Sequence, residues 1–262
     1  FESRFKDVSG FRKYISLLRP TSSDLFKFVK GFNPNLVLGM GGYASLDVCK
    51  TAGYIVEHEA SEEHFMMYSE IKPYVVIHEQ NSKAGRANRY ISMWYARAVI
   101  EGFPGAFDWK TRFLQTSTDD LIFLGNPVRS EILDVKRYVR AYSEYSKNPR
   151  ILVLGGSQGA RSINYSIPEI VQKLSHKINI EVMHQTGEHD YDKICEMYKE
   201  NGFSADVVPF IQDMAKAYEW ADLVIGRSGA MTVSELSAIG MPSILIPYPH
   251  AMDNHQLYNA LF

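Results

Sequence analysis

At 262 residues, 45% hydrophobic and 22% charged, the chain is long enough to bury a sizeable core in one large or two modest domains. A formal charge of -2 excludes a general nucleic-acid binder, because a surface that tracks phosphates needs a clear basic excess. Cys49 and Cys195 are the only cysteines and stand far apart, which excludes a disulfide framework and a CxxC metal or redox motif and fits a reducing cytosol.

No apolar run reaches the roughly 20 residues that cross a bilayer, and no signal-peptide pattern is present, so membrane contact is expected to be peripheral. The chain opens on Phe1 and stops at Leu261-Phe262 inside a helical pattern, so both ends read as cuts. Its first 31 residues interleave Arg4, Lys6, Arg12, Lys13, Arg19, Lys27 and Lys30 with Phe11, Tyr14, Ile15, Leu17 and Leu18. That mixture suits either an anionic membrane surface or an ordinary amphipathic helix.

Short β-branched or apolar runs then recur, each followed by a Gly/Ser-containing turn and a stretch with helical spacing. The strands expected are Asn35 to Leu38, Tyr74 to Ile77, Ala98 to Ile100, Leu121 to Leu124, Ile151 to Leu154, Ile178 to Met183, Asp206 to Val208, Leu223 to Ile225 and Ser243 to Ile246. This βα alternation predicts parallel sheets covered on both faces. Between Arg129 and Arg150 the pattern breaks into a polar Tyr/Lys/Ser-rich stretch closed by Pro149, which predicts two domains, 1–133 and 134–262. Two Rossmann-like, doubly wound domains facing across a cleft follow, with ligands at the carboxyl ends of the strands.

Three glycine turns carry the chemistry. In NLVLGMGGYAS, Gly41, Gly42 and Tyr43 either hold a diphosphate or merely turn the chain. In RILVLGGSQGARSIN, a buried strand meets Gly155, Gly156, Ser157, Gln158 and Gly159 before a helix that runs through Asn164. Glycines let N–H groups approach a ligand, and the helix start adds partial positive charge suited to phosphate. The spacing is neither GxGxxG nor a P-loop. In ADLVIGRSGAMTVSEL, Arg227 precedes a helix running Ala230, Met231, Thr232, Val233, Ser234, Glu235. Its start suits phosphate, and Glu235 suits two adjacent sugar hydroxyls, as on a ribose.

VLGMGGY, IHEQNSKAGRANR, GNPVR, VLGGSQGAR, HQTG, PFIQDMAKAYEWADLVIGRSGAMTVSEL and PSILIPYPHAMDNHQLYNA closely resemble the MurG family. These are bacterial UDP-N-acetylglucosamine:N-acetylmuramyl-(pentapeptide) pyrophosphoryl-undecaprenol N-acetylglucosamine transferases. The resemblance runs from about residue 30 to the end and is most specific over 150–262. It implies an α/β fold of the GT-B type, with acceptor bound by the N-terminal domain and UDP-sugar by the C-terminal one. The implied reaction inverts the anomeric centre, moving N-acetylglucosamine to the C4 hydroxyl of the muramyl unit of lipid I to give lipid II in peptidoglycan synthesis.

Carried over position by position, the resemblance assigns Gly155, Gly156, Ser157 and Gln158 to the donor phosphates and sugar. Ile211 is assigned to the uracil through its backbone, Ala230 to Glu235 to phosphate and ribose, and Gln256 and Asn259 to the donor sugar. Arg129 matches a further donor-contacting position, and Asn164 and Arg227 join the substrate-binding set. His78, Glu79, Asn81 and Asn88 match polar positions of the cleft, and His78, Glu79 and Glu235 are the catalytic candidates. The family's favoured base lies in an N-terminal glycine loop that this sequence lacks. His78 is then either the remaining cleft base, held by Glu79, or a hydrogen-bonded structural residue.

No catalytic metal and no cofactor are expected. Asp190-Tyr191-Asp192 mimics the Asp-x-Asp of metal-dependent transferases, but it opens a helix-like stretch, where N-capping is its expected role. Glu57, His58, Glu59, Glu62, Glu63 and His64 lack HExxH spacing and read as a solvated acidic face. After GMGGYAS this sequence continues with Leu46-Asp47 and carries about ten more residues than the family before IHEQN. The expected partners are UDP-N-acetylglucosamine, lipid I and an anionic membrane surface, at the cytoplasmic face of the bacterial inner membrane. A chain that only binds nucleotide-sugar, and a related transferase with another lipid acceptor, are the alternatives.

Overall fold

A computed structural model of the chain describes residues 22–63, 73–107, 120–135, 148–155 and 160–262. Two compact units divide between Asn126 and Pro127.

In the first unit, Ser22 Oγ accepts from Leu25 N–H at 3.2 Å and starts α1 (Ser23–Phe32), which Asn33 ends in the left-handed region at φ 50°. Four parallel strands follow: β1 (Leu36–Gly39), β2 (Tyr74–Glu79), β3 (Ala98–Glu101) and β4 (Asp120–Phe123), paired in that order. Between them come α2 (Gly42–Glu63) and α3 (Arg86–Trp94). Leu46, Cys49 and Ala52 of α2 pack with Val75 and Ile77 of β2, Ile91 of α3 and Val99 of β3. Gly39 is required by this packing, since a Cβ there would stand 2.7 Å from Cys49 Sγ. Burial pushes the Cys49 thiol up to about 11, so it serves as an apolar filler.

The second unit opens with α4 (Ser130–Leu133) and contains β5 (Arg150–Leu154), β6 (Glu181–Gln185), β7 (Asp206–Val208), β8 (Leu223–Gly226) and β9 (Ser243–Leu245). Its helices are α5 (Arg161–Ser175), α6 (Tyr191–Glu200), α7 (Met214–Trp220), α8 (Ala230–Ala238) and α9 (His255–Leu261). The strands are parallel in the order β7-β6-β5-β8-β9. Alternation along β5 divides the core between the two faces. Leu152 and Leu154 pack with Tyr218, Val224 and Leu236, whereas Ile151 and Val153 pack with Ile163, Ile167, Val182 and Ile194. Burial on both faces is why the strand reads as an unbroken apolar run.

All nine expected strands form, with shifts at their ends. The largest is at β6, which begins at Glu181 because Lys177 and Ile178 still donate to Leu174 O and close α5. The units divide earlier than the 133/134 boundary read from the sequence. Ile132 is fully buried in the second core with Leu152 and Tyr218, so α4 belongs to the second unit. The residues before 22, the acidic cluster from Glu57 to His64 and the extra segment beyond Glu63 carried sequence expectations that lie outside the described residues and side chains.

Candidate functional site

The second sheet reverses its order between β5 and β8, where Leu154 pairs with Gly226. Open parallel sheets bind ligands outside the carboxyl ends of their strands at such a point. Both strands run through glycines into a helix start, and neither N-cap residue, Ala160 of α5 nor Gly229 of α8, supplies a side-chain cap. In α8 the amides of Ala230, Met231 and Thr232 precede the first intrahelical bond, from Val233 N–H to Gly229 O at 3.0 Å. Two such helix starts offer amide donors and partial positive charge to an anion. Gly156, Ser157, Gln158 and Gly159 lie outside the described residues.

Arg227 joins the two turns. Its guanidinium donates to Ser162 Oγ in the first turn of α5 at 2.7 Å, and to the carbonyls of Ile246 and Pro247 at 3.1 and 3.0 Å. It also lies over the Tyr248 ring. Among the substrate contacts expected from the sequence, it commits three of its five N–H donors to acceptors within the unit, a clamp that the planar fork suits.

Asn164 was expected to touch substrate, yet it is fully buried beneath Gly155. Its Nδ2 donates to Thr186 O and Asp190 Oδ2 at 2.8 and 2.9 Å, which makes Oδ1 the acceptor for His184 Nε2 at 3.2 Å. His184 Nδ1 therefore accepts from Tyr198 Oη–H at 3.0 Å. Desolvation lowers the imidazole to about 4 and keeps it neutral. Asp190 occupies the N-cap position of α6 but makes no capping bond; its carboxylate faces Asn164 and, at 3.8 Å, Arg161. The capping role read from the sequence is corrected on this point.

Glu235 sits one turn into α8, nearly buried. Oε1 accepts from Arg129 Nη2 at 3.2 Å and Oε2 from Tyr218 Oη–H at 3.0 Å. Val233, grouped with the substrate contacts, is buried and packs inward. Ser234 is half-buried, and Met231 is exposed.

Helix α9 is seated on the turn after β8. Ser228 Oγ–H donates to Gln256 O at 2.7 Å, and Asn259 Nδ2 to Ser228 O at 3.1 Å. Asn259 is buried, so it fastens the helix rather than facing a sugar. Gln256 Oε1 accepts from Tyr248 N–H at 2.9 Å. The Ile211 N–H donates to Gln185 Oε1 at 3.2 Å, while Gln185 O accepts from Gly155 N–H at 2.8 Å. Tyr218, His184 and Gln185 were not singled out from the sequence, although all three lie inside the motifs quoted for the family. A buried tyrosine or histidine looks like core until its polar partner is known.

In the first unit, His78 and Glu79 are adjacent in β2 and therefore point to opposite faces. Glu79 accepts four hydrogen bonds: Oε1 from Asn81 N–H and Asn81 Nδ2, Oε2 from Gly85 N–H and Asn88 Nδ2. It holds the loop before α3 and makes no bond to His78. His78 Nε2 donates to Gly125 O at 3.1 Å and Nδ1 accepts from Gln80 Nε2 at 3.3 Å, the hydrogen-bonded structural alternative. Asn81 and Asn88 serve the Glu79 network, with Asn88 Oδ1 buried beside the Gly41 turn and without a partner among the described residues. Gly41 and Gly42 have φ of 82° and 73°, which only glycine adopts without strain. Their turn leads into α2, which opens at Gly42 and contains Tyr43, whose side chain is outside what is described.

Residues 150–262 match the family described as Glycosyltransferase family 28 C-terminal domain. The UDP-N-acetylglucosamine--N-acetylmuramyl-(pentapeptide) pyrophosphoryl-undecaprenol N-acetylglucosamine transferase of Coxiella burnetii is 36% identical over 260 residues, 98% of this chain and 66% of that protein. Its counterpart from Pseudomonas entomophila is 45% identical over 189 residues, 72% of this chain and 49% of that protein. The crystal structure of Acinetobacter baumannii MurG aligns with a TM-score of 0.67 at 29% identity, over 98% of this chain and 64% of that one. The chain thus spans just under two thirds of the Coxiella relative. Its two parallel-sheet units and the anion-suited switch point are those of a glycosyltransferase of the GT-B type. Within that class, the chain belongs to the MurG family.

Proposed function

We propose that this chain carries the donor-binding part, and some of the acceptor-binding part, of an enzyme that transfers N-acetylglucosamine from UDP-N-acetylglucosamine to undecaprenyl-pyrophosphoryl-MurNAc-pentapeptide. The observation that carries the reading is the pair of uncapped helix starts at the β5/β8 switch point, with the Glu235 carboxylate one turn into α8. The α8 amides take a diphosphate oxygen. Glu235 accepts from ribose hydroxyls, and the Ile211 carbonyl is left to accept from the uracil N3–H.

In the reaction, the C4 hydroxyl oxygen of the acceptor forms a bond to the anomeric carbon while the bond from that carbon to the UDP β-phosphate oxygen breaks. Charge that develops on the diphosphate is met by helix dipoles already oriented for it, a role that needs no metal. The ring nitrogens of His78 are both directed within the first unit, so the base that takes the hydroxyl proton is not assigned to it. The Gly41-Gly42 turn is read as a seat for the acceptor diphosphate. No helix among the described residues is long and apolar enough to cross a membrane. Peripheral attachment at the cytoplasmic face of the inner membrane is proposed from the lipid-linked acceptor.

The test is transfer of labelled N-acetylglucosamine from the UDP-sugar to a lipid I analogue by the 262-residue chain, with EDTA in a parallel reaction. Formation of the disaccharide product, undiminished by EDTA, supports the reading. UDP binding without transfer favours a nucleotide-sugar-binding chain, and transfer only to other lipid-linked acceptors favours a related transferase.

A further inference from the structure

The two partners of Glu235 differ in kind. Tyr218 is 1% exposed, wedged among Leu152, Leu154, Val224 and Leu236, so its hydroxyl has a fixed position. The Arg129 side chain is 50% exposed and also lies 3.9 Å from Glu131, so its guanidinium can move between carboxylates. One oxygen of Glu235 is thereby held by an immobile donor and the other by an exchangeable one. A carboxylate with one anchored oxygen is restricted to one rotamer, and its second oxygen keeps its lone pairs at one place. Burial first, and then the neighbouring carboxylate, push the Tyr218 phenol up, so it stays a donor at neutral pH.

We infer that Tyr218 is a positioning residue for ribose recognition: it fixes Glu235 so that Oε1 selects nucleotides with ribose hydroxyls, while Arg129 occupies that oxygen until the nucleotide arrives. This rests on the reading of Glu235 as the ribose acceptor. Tyr218 touches no substrate in this arrangement. It acts through the carboxylate, as the hydroxyl is directed to Oε2 and the ring is enclosed by the core.

The experiment measures dissociation constants of UDP and of 2′-deoxy-UDP by calorimetry, for the 262-residue chain, Tyr218→Phe and Arg129→Gln. Wild type is expected to favour UDP by about tenfold, the usual worth of a hydrogen bond to a charged group. In Tyr218→Phe the ratio is expected to fall to about 1–3, with UDP affinity lowered by a similar factor and 2′-deoxy-UDP affinity little changed. Arg129→Gln is expected to retain the ratio whatever its effect on overall affinity. A preserved ratio in folded Tyr218→Phe, or its loss in Arg129→Gln, overturns the inference. If Tyr218→Phe does not fold, judged by its thermal melt, Tyr218→Met, which also removes the hydroxyl and keeps an apolar side chain in the core, takes its place with the same expected and overturning ratios. Absence of UDP binding by the wild-type chain would instead refute the donor site itself.

Discussion

Asn164 Oδ1 lies 2.5 Å from the point that a Cβ on Gly155 would occupy, and Gln185 O lies 2.7 Å from the same point. The glycine that opens the turn after β5 is therefore required by the polar layer beneath it, in addition to any ligand above. Gly155→Ala must displace a backbone carbonyl or the Asn164 amide, and is expected to lower stability by about 2–3 kcal/mol. Chemical denaturation monitored on the second unit measures this; a change under about 0.5 kcal/mol would mean that the layer yields freely.

His184 gives the same layer a pH dependence. Its folded value is lowered to about 4 from 6.5, so the unfolded chain binds the proton first as pH falls. Its contribution is fully present above about pH 6.5 and is lost between there and about pH 4, some 3 kcal/mol in total, with no further loss below. Urea midpoints of wild type and His184→Gln across pH 4–7 are expected to converge as pH falls. Parallel curves would remove His184 as the source.

Arg227 links Ser162 to the end of β9 through a planar fork. Lysine cannot reach three acceptors in that geometry. Arg227→Lys is expected to weaken UDP binding by about tenfold while costing only about 1–2 kcal/mol of stability, since each lost bond is worth of order 1 kcal/mol. Calorimetry and a thermal melt of the same sample separate the two effects.

Glu79 accepts from four donors, two of them backbone N–H groups. Glu79→Gln turns one acceptor oxygen into a donor facing donors and is expected to cost about 2–4 kcal/mol. Hydrogen exchange at Asn81 and Gly85 should rise by tens of fold; unchanged protection would contradict the role.

Both sheets were legible because buried parallel strands announce themselves as apolar runs closed by glycine, as Ile151 to Leu154 shows. The switch point was legible for the same reason: glycine turns and helix starts are local. Roles that depend on distant partners were not. Arg227 and Asn164 carry groups that suit a ligand, and only the tertiary structure reveals that Ser162, Ile246, Thr186 and His184 occupy them. The alternative in which Glu79 holds His78 fails because adjacent residues of a strand point to opposite faces. Tyr218, at helical spacing among apolar residues, reads as packing in the sequence, and its hydrogen bond to Glu235 depends on a partner 17 residues away.

The most direct test of the donor site is a calorimetric titration of UDP-N-acetylglucosamine into the 262-residue chain and into Glu235→Ala. One-to-one binding, weakened by about 10–100-fold in the variant, is expected from the loss of charge-assisted bonds to the ribose. No heat of binding at millimolar ligand, or equal affinity in Glu235→Ala, would contradict a nucleotide-sugar site at the β5/β8 switch point.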